Sequence, residues 1–330
     1  MRSREAEFER KLAQTGLRQL PDLLQALPDE TARLARLCYA ASPVSDWLDT
    51  PPEVFFSCAA HARYLRENVS WTRALPEPLF LAYVLHPRVN NEALCDCRPV
   101  FYAALAERLR GLPEEAAILE INRWCAEHVA YQPTDERTRS ALAVLRAGFG
   151  RCGEESMFAV NVLRACGFAA RQVYVPRWAH CDDNHAWVEV RCGGAWHFLG
   201  ACEPEAVLDR GWFNSAAGRA VLVHSRCFGE PEPDAEVIGR EGEVVYCNET
   251  ARYADVRRLT VRVTDGNGVP AAGANVDFCV LNNCEWYPAA TVQTDASGMA
   301  ALTCGLGSLR LLARRDGLCC EAFVSPEETG

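Results

Sequence analysis

Residues 150–167, GRCGEESMFAVNVLRACG, place Cys152 between two glycines at the start of a helical run. A thiol at a helix N-terminus sees the positive end of the macrodipole and unpaired backbone N–H groups, which favour a thiolate and can also hold an oxyanion. Gly150 and Gly153 leave room for a substrate backbone to approach. Glu154 and Glu155 would raise the thiol pKa if they faced it, but acids are ordinary first-turn residues that can point outward. Such a nucleophile also needs a base. In CDDNHAWVEV, residues 181–190, strand alternation puts His185, Trp187 and Glu189 on one face and Ala186, Val188 and Val190 on the other, so the imidazole stands off the aliphatic side. A cysteine on a helix end facing a histidine on a neighbouring sheet forms a thiolate–imidazolium pair, usually with a third polar group orienting the ring. The bland alternative is a core thiol and an edge-strand histidine.

Three regions must position that pair. Residues 1–110 read as helices cut by prolines: Leu17, Leu20, Leu23 and Leu24 keep helical spacing, as do Leu34, Leu37 and Cys38, and further helices follow Pro52 and Pro99. Over 80–102 an apolar run meets His86-Pro87 and then Asn90-Asn91-Glu92, read as a helix stop and a polar turn, with a substrate-contacting loop as the alternative. Residues 111–250 mix periods. Pro113 and two acids open a helix with apolar residues at Ile118, Ile121, Trp124, Cys125 and Val129, and another helical patch runs from Ala141 to Ala147. The Cys152 helix follows, with Ala159, Val162, Leu163 and Cys166 as its buried stripe and Gly167 as its stop. FAARQVYVPRW and NHAWVEV alternate as strands, and Cys192-Gly193-Gly194-Ala195 turns into WHFLGA. This order gives an α+β core with an antiparallel sheet. Residues 256–326 are all β, with turns at 265–268, 295–298 and 305–307, and predict a sandwich beyond a linker rich in Pro, Gly and acids over 230–255.

GRCGEES, followed by ARQVYVPRWAHCDDNHAWVEV and a short third strand with a tryptophan, resembles the core of the transglutaminase-like superfamily over roughly residues 110–205. The resemblance implies a papain-like fold with a Cys, His and Asp set. Cys152 would be the nucleophile and His185 the general base and acid; Gly153, Trp124 and Trp187 become oxyanion or substrate candidates, Trp124 competing with a buried core role. The third catalytic position departs from the pattern. Family members carry an aspartate four residues after the tryptophan of the following strand, and here Trp196 leads to Gly200. Glu203 is the preferred substitute, its longer side chain reaching the far nitrogen of His185, ahead of Glu205, Asp182, Asp183 and Asp209, with Asn184 a further option. The C-terminal region resembles prealbumin-like or carboxypeptidase-regulatory-like sandwiches, which position a catalytic domain or contact a partner.

Composition narrows the function. A formal net charge of -10, a pI near 5.3 and no Lys/Arg cluster argue against nucleic acid. Basic charge is nearly all arginine, with Lys11 the only lysine, as a GC-rich bacterial genome would give. The charged N-terminus lacks the apolar core of a secretory signal, and no stretch approaches bilayer length, so no membrane association is expected. With 17 cysteines scattered through helices and strands, free thiols in a reduced cytoplasm are expected, or secretion if a signal has been removed. Cys95-x-Cys97 and Cys319-Cys320 lack a second pair at zinc spacing, so no metal is expected, and the mechanism calls for no cofactor. The expected activity is cysteine-dependent acyl transfer on peptide or protein amides, through a thioester resolved by water or by an amine co-substrate. A non-catalytic protein-binding module that keeps the fold is the alternative, and Gly200 favours it.

Overall fold

Prolines set where the N-terminal helices begin. Pro21, Pro52, Pro78 and Pro99 each sit in a first turn, where a missing N–H costs nothing. The computed structural model describes residues 4–135 and 137–328. Its first third runs through α1 (Arg4–Thr15), α2 (Leu20–Gln25), α3 (Asp29–Ala41), α4 (Val44–Asp49), α5 (Pro52–Asn68), α6 (Ser70–Ala74) and α7 (Glu77–Phe80), then a π-turn over Leu81–Leu85 that stops ahead of Pro87. Their apolar faces share one core around Phe8, Leu34, Tyr39, Trp47, Phe55 and Tyr83, with Tyr39 stacked on Phe55 at 4.2 Å. Full burial of such side chains stabilises by roughly 1.5–3 kcal/mol each. Lys11 is drawn into this layer with no exposed surface. Its ammonium donates to the carbonyls of Ala40 (2.9 Å) and Ser42 (2.8 Å) and pairs with Glu243 at 2.6 Å.

The middle region supplies α8 (Arg98–Leu109), α9 (Glu114–His128), β1 (Ala130–Tyr131), α10 (Ala141–Ala147), β2 (Phe149–Gly150) and α11 (Cys152–Ala165). Ser140 caps α10 by accepting from the Ala143 amide, and Gly148, at φ 75°, ends it in the left-handed region that a glycine tolerates. Parallel pairing of β1 with β2 then delivers the chain to Cys152. The sequence suggests a single buried stripe on α11, yet every residue from Gly153 to Ala165 is buried. The helix is enclosed by α8, α9, α10, the π-turn and the central sheet, so it has no solvent face.

That sheet is β3 (Ala170–Val175), β4 (His185–Cys192), β5 (Ala195–Leu199), β6 (His224–Phe228), β7 (Val237–Glu241) and β8 (Val244–Asn248), with the short α12 (Asn214–Ala217) before β6. All its pairs are antiparallel, in the order β5-β4-β3-β6-β8-β7. Strands β7 and β8 fall in the stretch that reads as a linker. Its prolines and acids crowd the loop at 229–236, while the alternation of buried Val245 and Cys247 in β8 is too short to stand out. The helical core packs against the sheet through Trp196 of β5, Cys227 of β6 and Val245 and Cys247 of β8.

The C-terminal region is all β, as expected. β9 (Val256–Arg262) pairs with β12 (Met299–Gly305), and facing them lie β10 (Asn275–Asn282), β11 (Glu285–Gln293), β13 (Leu309–Arg315) and β14 (Leu318–Val324) in the order β11-β10-β13-β14. Leu259, Val276, Phe278, Val280, Leu302 and Leu309 fill the space between, joined by Val221 and Leu222 from the preceding domain. Among the described residues, no helix is long and apolar enough to cross a membrane, and the 17 cysteines are free.

Candidate active site

Cys152 is the first residue of α11, half-buried. Glu154 turns back to accept from the Arg151 amide at 3.4 Å, which satisfies one of the open donors of that turn. Ser156 Oγ donates to the Cys152 carbonyl at 2.6 Å, and Gln172 on β3 donates to both the Gly153 carbonyl (3.0 Å) and Ser156 Oγ (2.7 Å). Gln172 in turn accepts from Asn90 at 2.7 Å, so the polar stretch Asn90-Asn91-Glu92 is coupled to the first turn of α11.

The acids behind the cysteine do not point outward as expected. Glu154 is fully buried, holding two hydrogen bonds from the Arg139 guanidinium and one from Thr134. Burial pushes its carboxyl up, but Arg139 outweighs that and holds it below the ordinary range. Glu155, 4% exposed, has no such cation: burial, with the Glu203 charge adding, pushes it up to about 8. One acid is neutralised by an arginine and the other stays protonated at neutral pH, so neither presents a bare charge to the thiol.

His185 is the first residue of β4, opposite Val175 of β3. The strand alternates as the sequence implies. Val188 and Val190 join the core around α11, whereas Trp187 packs with Val173 and Phe213 on the other face. That second face is pinned by Glu189, which accepts from Arg171 (2.8 Å), Arg252 (2.7 Å) and Tyr253 (2.6 Å), while Trp187 donates to Tyr253 at 3.0 Å. The imidazole lies among Trp212, Phe213 and Trp187, with ring centroids 4.9, 5.0 and 5.8 Å away. Its Nε2 is buried and, among the described residues, has no hydrogen-bond partner.

The structure brings the two elements together at their ends, with the Ala186 and Gly153 amides near the thiol and favouring its anion. No hydrogen bond joins Sγ to the imidazole, and the charged pair that the sequence suggests does not form at rest. Burial raises the thiol, against those amides and the Arg151 charge, and burial lowers the imidazole to about 4, with Asp183 alone opposing. The resting pair is therefore a neutral thiol and a neutral imidazole, held as a base that is uncharged through the physiological range.

Glu203 does not bond to His185. Its Oε1 accepts from Trp212 Nε1 at 2.9 Å, and Oε2 is buried without a partner. Trp212, 67% exposed, comes between, with its ring against the imidazole. Gly200 explains the position: a Cβ there would lie 2.2 Å from Glu203 Oε2, so the Glu203 carboxylate fills the space that any side chain at 200 would need. The other acids weighed from sequence are engaged elsewhere, Asp209 with His197 (2.6 Å), Asp182 with the Asn283 amide (2.6 Å) and Glu205 with Arg210 (3.6 Å). Asp183 is the one whose charge acts on His185.

Two aromatic candidates are not at the thiol. Trp124 is a core residue, its ring packed near Phe101, Phe158 and His128, and Trp187 is fully buried on the sheet face that carries Phe213. Tyr131, which sequence reasoning passes over, stands on β1 beside the chain entering α11. It is 62% exposed, and burial with the Cys152 and Asp183 charges raises its phenol. Trp212, in DRGWFN, was equally unmarked because it belongs to no periodic segment.

Residues 103–201 match the model of the transglutaminase-like superfamily. No curated protein matches the chain. Among solved structures, one from Cytophaga hutchinsonii described as a "Putative Cysteine Protease" is 16% identical and covers 56% of this chain and 68% of its own, with a TM-score of 0.34, a likeness too loose to carry weight. Residues 103–201, which hold α9, α10, α11 and the strands β3 to β5, match a transglutaminase-like domain, and that match supports a cysteine-dependent enzyme.

Proposed function

We propose that the protein transfers acyl groups from peptide or protein amides through Cys152. The sulfur attacks a carboxamide or peptide carbonyl while His185 takes its proton. Because both groups rest neutral, that proton moves with the attack and not before it. Contacts of this kind are commonly long in a free enzyme and close around the substrate. The oxyanion gathers at the N-terminus of α11, where the Gly153 amide lies, with the Tyr131 phenol as second donor. His185 returns its proton to the departing ammonia or amine, leaving a thioester on Cys152. Water or an amine co-substrate then attacks the thioester and restores the thiol. Glu203 orients the imidazole through Trp212, and Asp183 stabilises the imidazolium as it forms.

The observation that carries this reading is the packing of α11 on β4 and the meeting of its N-terminus with the first residues of that strand: the Ala186 amide acts on the thiol, and the adjacent residue is a buried imidazole whose Nε2 has no partner among the described residues. Mass spectrometry of glutaminyl peptides incubated with wild type and Cys152→Ala, with and without a primary amine, tests it. Amine incorporation identifies transfer, conversion of amide to acid identifies deamidation, and cleavage identifies a peptidase. The second reading, a binding module, draws on Gly200 and on the absence of a bond between Glu203 and His185. Product formation that is the same in Cys152→Ala, or none in wild type across a broad peptide set, would favour it.

A further inference from the structure

The loop 176–184 joins β3 to β4 and hands the chain directly to His185; it also carries Asp183, whose charge acts on the imidazole. Within the loop, the Trp178 amide donates to the Asp183 carbonyl (3.0 Å) and the Asp183 amide to that of Cys181 (2.9 Å). Two such contacts leave most of its backbone groups to be satisfied from outside. The outside partner comes from the sandwich.

At the tip of the β10–β11 hairpin, Asn283 and Cys284 form a two-residue turn with φ of 49° and 59°, the left-handed geometry that tight hairpins need and that asparagine accepts. The turn presents Asn282, the last residue of β10, to the loop. Asn282 is 1% exposed, and its Nδ2 donates to the carbonyls of Cys181 (2.9 Å) and Trp178 (3.1 Å), with that of Asp183 at 3.4 Å. The Asn283 amide adds a bond to Asp182 at 2.6 Å, and the Arg177 guanidinium stacks over Tyr287 of β11 at 4.2 Å. Asparagine is disfavoured in strands and expensive to bury unless its amide is matched, so a buried one whose donors all go to another domain is a fastening between the two.

We infer that Asn282 is a positioning residue for His185: the sandwich fixes the loop that sets where the imidazole and the Asp183 carboxylate stand, so the C-terminal domain is part of the catalytic unit. This rests on His185 acting as the base for Cys152. The imidazole is faced by Asp183 from this loop and by the rings of Trp187, Trp212 and Phe213 from other elements, with Glu203 behind Trp212 and Cys152 at the end of α11. Loosening the loop removes the ordered charge nearest the ring and lets the ring drift.

The test uses the full chain and the amide substrate on which wild type shows Cys152-dependent turnover. Asn282→Ala is expected to lower kcat by about 10- to 100-fold with little change in KM, the size of effect that a small misplacement of a reacting group produces. The acid limb of its pH profile should move down because Asp183 no longer supports the protonated ring. Hydrogen exchange over 176–184 should quicken while the sandwich strands stay protected. If Asn282→Ala does not fold, Asp182→Ala, at an exposed position, should give the same changes in smaller degree. Wild-type kcat, pH profile and loop exchange in folded Asn282→Ala, or in Asp182→Ala where that is the variant available, would overturn the inference alone. Absence of any Cys152-dependent turnover in wild type would overturn the catalytic reading and the inference with it.

Discussion

The two ends of α11 are treated in opposite ways. At its C-terminal end the carbonyls of Val162, Leu163 and Arg164 are bonded by the amides that follow, and the next three are taken up by the N-terminal helices: Ala165 accepts from His61 (2.8 Å), Cys166 from Trp71 (2.9 Å) and Gly167 from Thr72 (2.8 Å). Arg164 reinforces this end by donating to the carbonyls of Ala170, His86 and Arg88. At the N-terminal end the thiol is half-buried, Glu155 is unpaired, and the nearby imidazole has a nitrogen without a partner. One end spends its polar groups on holding the helix; the other is held through Glu154, Ser156 and Gln172 but leaves the thiol and the imidazole without such bonds. The N-terminal helices thus anchor, from the far side, the helix that begins at Cys152.

Variants at the two ends should separate activity from stability. The largest effect is expected from Cys152→Ala, which should cost about 10,000-fold in turnover with an unchanged melting temperature. Retained turnover, or a melting temperature that falls with it, would erase the contrast. Next comes Glu155→Gln. With a folded pKa of about 8 against an ordinary 4.5, the wild-type glutamate binds a proton in the folded state that the unfolded chain has released. Its contribution is complete below about pH 4.5 and is lost as pH rises through 8, on the order of a few kcal/mol, and denaturant melts across that window should show the slope in wild type and not in the variant. At the other end, Trp71→Phe keeps the stacking on Phe168 but orphans the Cys166 carbonyl, so about 1–3 kcal/mol of stability should go while kcat stays near wild type. The smallest effect concerns the thiol itself. Since burial keeps it protonated, iodoacetamide at pH 6 should label Cys152 no faster than the exposed Cys181, Cys284, Cys319 and Cys320. Preferential labelling would show that the pair ionises before substrate arrives.

Local pattern made much of this legible. The start of α11, the alternation of β4 and the turn at Cys192–Ala195 each follow from residues within a few positions of one another. What the sequence hid depends on distant partners. Glu154 and Glu155 look like surface acids until Arg139 and Glu203 arrive from elsewhere in the chain. Glu203 stands close to where the superfamily carries its aspartate, but its bond to Trp212 in place of His185 has no signature in spacing. Trp124 and Trp187 read as site residues because tryptophans near a nucleophile draw attention, while packing uses both as core. The strands β7 and β8 are obscured by composition, since prolines and acids in one loop outweigh two short runs of alternation.

The sequestration of Lys11 bears on the amine side of the proposed chemistry. A thioester that hands its acyl group to lysine would find no usable ε-amine on this polypeptide, because the single one it owns is sealed beneath the helical layer and paired with Glu243. Copies of the enzyme are thereby immune to being stitched to one another through lysine, and any isopeptide bond detected must draw that nitrogen from a different molecule.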